Sequence, residues 1–149
     1  MPSSFPYDNI IAGLLILLVG FLLHWLGQGL SVINWELATR LGLQEKGMPS
    51  EYKVYEHAIA VADSAIGWIY GIAGVGLILG TTWGYKLAWI PGSILVYHAA
   101  SFWVWTGNAR RAGVELGTTK NPLRTVWTIA NLTTGLLALF VAWNGPRAS

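Results

Sequence analysis

Cysteine is missing from all 149 residues, which removes disulfides, thiolate metal sites, iron–sulfur clusters and thiol redox chemistry together. Charge is scarce as well, with Asp, Glu, Lys and Arg making up 11% of the chain, against about 25% in an ordinary soluble domain. The net charge of +2 sits at the edges of apolar stretches and not in a patch, so there is no electrostatic footprint for nucleic acid. No Lys or Arg precedes the first apolar run, so the positive n-region of a signal peptide is lacking and that run is expected to be retained. There is no polar stretch long enough for a soluble domain, and no internal repeat.

What the chain does have is apolar sequence, 54% of it, gathered into runs near the roughly 20 residues that a spanning helix needs. A β-barrel would instead show alternation in segments of about ten. The expected fold class is therefore all-α, a polytopic integral membrane protein built as a bundle of four transmembrane helices in one domain. The spans read as 9–30, 55–79, 85–105 and 123–143. An amphipathic segment, 32–43, places Ile33, Leu37 and Leu41 four apart and suits the membrane surface. Ser50 is in position to cap span two, and Asn121-Pro122 to cap and start span four. Pro91 should kink span three, and 106–122 reads as a glycine-containing loop. In length and in its Gly-rich hairpin the chain is similar to small four-span families such as the DoxX-like proteins, a resemblance of architecture alone.

Orientation follows from the basic residues. Arg40, Lys46, Lys53, Arg110, Arg111, Lys120 and Arg124 fall in the first and third loops, and only Lys86 and Arg147 on the other side. Positive charge stays inside, so loops 31–54 and 106–122 are expected in the cytoplasm, both termini outside, and the protein in the cell membrane. Aromatic belts agree, with Trp25, Trp35, Tyr52, Trp105 and Trp127 at one interface and Tyr7, Trp83, Tyr85 and Trp143 at the other.

Span two carries an acid where hydrocarbon is expected. A carboxylate there costs at least about 2.5 kcal/mol, so Asp63 should turn inward and find partners. At 100° per residue Glu56, Ala60, Asp63, Gly67, Tyr70, Gly71 and Gly74 share one helix side, while Val61, Ala65, Trp68, Ile72, Val75 and Leu79 share the other. His24 lies on the same stripe of span one as Gly13, Gly20, Gly27, Gln28 and Ser31. Counting inward along the helices puts His24, Asp63, His98 and Asn131 at one level, roughly 9–12 Å below the cytoplasmic surface.

Such a layer fixes helix packing, and a carboxylate beside two imidazoles also suits a proton, a cation or a polar ligand head. Three functions compete. The first is binding of a small lipophilic ligand, its head on the layer and its body against Trp68, Tyr70, Tyr97, Phe102 and Trp105, with Glu56 and His57 as a polar entrance. As a variant, Asp63 and His98 form the acid/base pair of a membrane enzyme, an isomerase or oxidoreductase. The second is a cofactor site, with His24 and His98 as axial ligands of a b-type haem or, joined by Asp63, as a facial metal site. The third is an accessory subunit, a homo-oligomer or a proton-coupled transporter, with Gly76 turned toward a membrane partner.

The charge asymmetry is checked by labelling. Single cysteines at positions Ser4 and Ser149 are expected to react with an impermeant maleimide from outside the cell, and one at Gly113 to stay unlabelled until the membrane is opened.

Overall fold

A computed structural model describes residues 7–114 and 122–145, all helix and connecting turns with no strand among them. Helix α1 runs over Asp8–Ile33. A short α2, Trp35–Arg40, follows, then α3 at Ser50–Ile66, α4 at Trp68–Ile78, α5 at Thr82–Arg111 and α6 at Pro122–Asn144. Among the described residues three helices are long and apolar enough to cross a membrane, and four if α3 and α4 together make one span. Their outer faces stay apolar and uncovered, as Leu14, Leu18, Leu22 and Leu26 on α1 illustrate by each being about half exposed.

Each long element packs on two neighbours. The first half of α1 lies on α4 and its second half on α3, α4 pairs with α5, α5 with α6, and α6 returns to α1. Three of these contacts are made by pairs of glycines. A methyl group on Gly13 would strike the Gly74 carbonyl, one on Gly84 the backbone of Gly76 and Leu77, and one on Gly135 the Gly92 carbonyl. Lipid is as apolar as leucine, so helices gain by close backbone approach, which only the smallest residue permits. Gly76 thus faces the hairpin, where Trp83 and Gly84 cover it, and not a membrane partner as its spacing implied.

The hairpin is closed by its turn chemistry. Gly80 takes the left-handed conformation that ends α4 (φ +63°), and the Thr81 hydroxyl accepts from the Gly84 N–H (3.1 Å) while donating to the Gly76 carbonyl (2.9 Å). One side chain therefore satisfies a group at the end of each helix.

Several boundaries differ from the sequence expectation. Helix α3 begins at Ser50, five residues before the expected span; Pro49 holds the cap position and Ser50 donates to Glu51 instead. Helix α5 continues to Arg111, so 106–111 is not loop. Pro91 is buried within α5 and leaves it one continuous helix. The break falls in the second span, where α3 and α4 meet at 41° across Gly67. There the Trp25 indole N–H donates to the Ser64 carbonyl (2.9 Å) and the Trp68 indole to the Ala65 carbonyl (2.9 Å), occupying acceptors of the helix's last turn. Asn34 caps α2 through the Leu37 N–H, and α2 is shorter than the amphipathic segment expected, though Ile33, Leu37 and Leu41 are exposed. Asn121 lies outside the described residues.

If the glycine pair closes the hairpin, Gly84→Ala should destabilise the protein by about 1–3 kcal/mol through overpacking. Gly107→Ala, on the same helix with nothing near its added methyl, should be neutral or slightly stabilising. Thermal unfolding of both variants in the same detergent separates them.

Candidate intramembrane histidine–aspartate site

Asp63 sits one turn before the bend of the second span, and its carboxylate is 8% exposed. Two other helices supply its partners. From α1, Gln28 Nε2 donates to Oδ2 (3.0 Å) and His24 Nε2 stands 3.4 Å from the same oxygen. From α5, His98 Nε2 lies 3.2 Å from Oδ1. The two imidazoles face each other with ring centroids 4.6 Å apart.

Local structure explains the convergence. Ile16–Trp25 of α1 winds as a π-helix, a form that is usually a single turn and often found at functional sites, and this stretch carries His24. Gly20 lies under the Tyr70 ring and Gly67 under the Trp25 indole, so α1 approaches the second span closely over the two turns that follow Asp63. The Trp25 bond to the Ser64 carbonyl then pins the residue next to Asp63.

The facing of the second span is as periodicity required: Ala60, Asp63, Gly67, Tyr70 and Gly74 are buried, and Val61, Ala65, Trp68, Ile72, Val75 and Leu79 exposed. Of the expected polar layer, His24, Asp63 and His98 come together. Asn131 is buried beside Thr128 and Thr134, yet its amide donates to the Trp127 carbonyl of its own helix (2.8 Å) and its Oδ1 has no partner. It does not bond to the cluster.

The expected aromatic wall is not assembled. Trp68 (51% exposed) and Tyr97 (65% exposed) lie on the outer surface. Trp105 packs on Tyr52 and Phe102, away from Asp63. Two of the expected rings still touch the site edge-on, Tyr70 against His24 at 5.8 Å and Tyr97, from its exposed position, against His98 at 5.6 Å. Their companion there is Trp127, whose ring is nearly parallel to His24 at 6.1 Å and which sequence position had assigned to an interface belt. Two concavities are lined by other residues: about 480 Å³ at the surface around Trp35, Arg40, Lys46 and Tyr52, and about 450 Å³ in an outer groove lined by Leu17, Phe21, Gly71, Ile72, Val75 and Trp83. His57 is exposed and 6.3 Å from the Trp35 ring, and neither it nor Glu56 lines the surface concavity.

Gln28 belongs to the site although the layer as read from sequence left it out. The signal was present, since Gln28 is four residues after His24 and lies on the same stripe. Chemically the cluster can hold or pass a proton between Asp63 and either imidazole, or offer two nitrogens and a carboxylate to a metal ion. A b-type haem does not fit between His24 and His98, because axial imidazoles stand on opposite faces of a macrocycle and these two are in ring contact over one carboxylate.

Replacement by leucine distinguishes the members. Gln28→Leu leaves a buried carboxylate oxygen short of a donor and should cost about 1–3 kcal/mol in reversible unfolding. Asn131→Leu removes an unpartnered oxygen and should be neutral or stabilising; a cost comparable to that of Gln28→Leu would place Asn131 in the network. Comparison of the chain with protein-family models, with curated proteins and with solved structures gives no match.

Proposed function

We propose that this is a four-span integral membrane protein that binds a small cation, in the simplest case a proton, at Asp63 between His24 and His98. In this reading α3 and α4 form one bent span, both long loops face the cytoplasm, and the site lies within the cytoplasmic half of the bilayer. The observation that carries it is compactness. Three side-chain nitrogens from two other helices approach a single carboxylate at 3.0–3.4 Å, a spacing that suits a small cation.

Packing alone asks for less than this. One hydrogen bond between helices contributes about 0.6 kcal/mol, and a carboxylate is the most expensive way to obtain it in hydrocarbon. An intramembrane acid flanked by imidazoles is the arrangement found where a proton is exchanged or a charge is carried. Proton-coupled transport and acid/base chemistry by Asp63 and His98 are the activities that such a site serves.

The test is a pH titration of ¹⁵N-histidine-labelled protein in nanodiscs. Asp63→Asn is expected to change how the ring signals of His24 and His98 move with pH, while those of exposed His57 keep their wild-type course. His24 and His98 signals that move with pH identically in wild type and Asp63→Asn would remove the cation reading. A co-purifying lipophilic mass in native mass spectrometry, lost in Asp63→Asn, would put an organic ligand in its place.

A further inference from the structure

Proton exchange does not use every feature of the cluster. His24 is 5% exposed, and its Nε2 has no hydrogen-bond partner although it points at Asp63 Oδ2 from 3.4 Å. A buried nitrogen without a partner costs free energy that a bound ligand recovers.

The three donor atoms, His24 Nε2, His98 Nε2 and a carboxylate oxygen of Asp63, all lie within 4.8 Å of one another. Donors around a tetrahedral ion with bonds of about 2.1 Å are about 3.4 Å apart. Each histidine already stands at that edge from one carboxylate oxygen, His98 at 3.2 Å from Oδ1 and His24 at 3.4 Å from Oδ2. The widest pair exceeds it by at most about 1.4 Å, within the swing of an imidazole about its side-chain torsions.

We infer that His24, Asp63 and His98 form an intramembrane binding site for a divalent first-row transition-metal ion such as Zn²⁺ or Fe²⁺. The inference rests on the proposed cation site and names its occupant. Two imidazoles and one carboxylate select this class of ion: imidazole suits zinc and iron, whereas Ca²⁺ and Mg²⁺ prefer all-oxygen sites. Cu⁺ favours thiolate and thioether ligands; the chain has no cysteine, and Met48 lines the surface concavity instead.

Three protein ligands leave at least one position open, the pattern of sites that exchange ligands and not of closed structural ones. His98 is the more accessible of the two histidines, its side chain 21% exposed against 5% for His24, so the open position is reached from its side. Gln28 acts from outside the ligand set. By donating to Asp63 Oδ2 it holds the carboxylate plane and leaves Oδ1 directed at His98. Both imidazoles coordinate through Nε2, which places their ring protons on Nδ1.

The test uses protein without a histidine tag, purified in detergent, stripped with a chelator and titrated with Co²⁺. One Co²⁺ per chain is expected, with visible d–d absorption that one equivalent of Zn²⁺ abolishes. His24→Ala and His98→Ala should each lose stoichiometric binding, His57→Ala should keep it, and Gln28→Leu should weaken it about 10–100-fold. Size-exclusion profile and circular dichroism check that the variants are folded. X-ray absorption on the zinc-loaded wild-type protein should count two imidazoles, and needs no variant. Wild-type protein that takes up no Co²⁺, or full binding retained in both His24→Ala and His98→Ala, overturns the inference. If metal binding fails but Asp63→Asn still alters the pH course of the His24 and His98 signals in metal-free protein, the cation is a proton and the metal assignment alone fails. If the substitution leaves that course unchanged as well, both readings fail.

Discussion

A carboxylate in an apolar helix must be given donors, and the second span of this protein supplies almost none of its own at that depth. Asp63 takes them from α1 and α5, through Gln28, His24 and His98. The three helices are thereby committed to one another at a single point. Slipping α1 by one residue would rotate His24 and Gln28 about 100° away from Asp63 and leave the acid without two of its three partners. Register along the helix axes, which close-packed apolar surfaces specify weakly, is specified here by a polar cluster.

Glycine does the complementary work. The contacts Gly13–Gly74, Gly76–Gly84 and Gly92–Gly135 bring α1 to α4, α4 to α5 and α5 to α6 at backbone distance. Gly20 and Gly67 lie nearer to Asp63 and admit the rings of Tyr70 and Trp25. Close approach and polar pairing thus share the same faces: α1 must come near enough for His24 to reach the carboxylate, and the glycines in the turns that follow Asp63 let it. The bend at Gly67 belongs to the same arrangement, since Trp25 both fills the space over that glycine and bonds to the Ser64 carbonyl beside Asp63.

The compactness of the cluster bears directly on what it can do. Of the aromatic side chains that would line a pocket around an organic ligand, Trp68 is turned outward, Trp105 packs on other rings and Tyr97 touches His98 from an exposed position. What remains is a polar cluster in which two imidazoles share one acid, with the rings of Tyr70 and Trp127 against His24. Low dielectric magnifies every interaction within it, so adding one positive charge there is a large event for the surrounding helices.

The sequence by itself determined the all-helical class, the approximate extent of the apolar segments, the hairpin between the second and third of them, and which side of the second span turns inward. These follow from length, hydropathy and helical period, which are local properties of the chain. Depth counting also put His24, Asp63 and His98 at one level, because rise per residue is constant along a helix. Only the tertiary structure decided that Asn131 bonds to its own backbone, that Gln28 joins the acid, that Trp127 lies on His24, and that Trp68 of the expected aromatic wall is turned outward. It also decided that the bend falls at Gly67 and that helical geometry loosens around His24. Those outcomes depend on which neighbour reaches a given atom first, a competition between side chains on different helices that periodicity along a single helix does not encode.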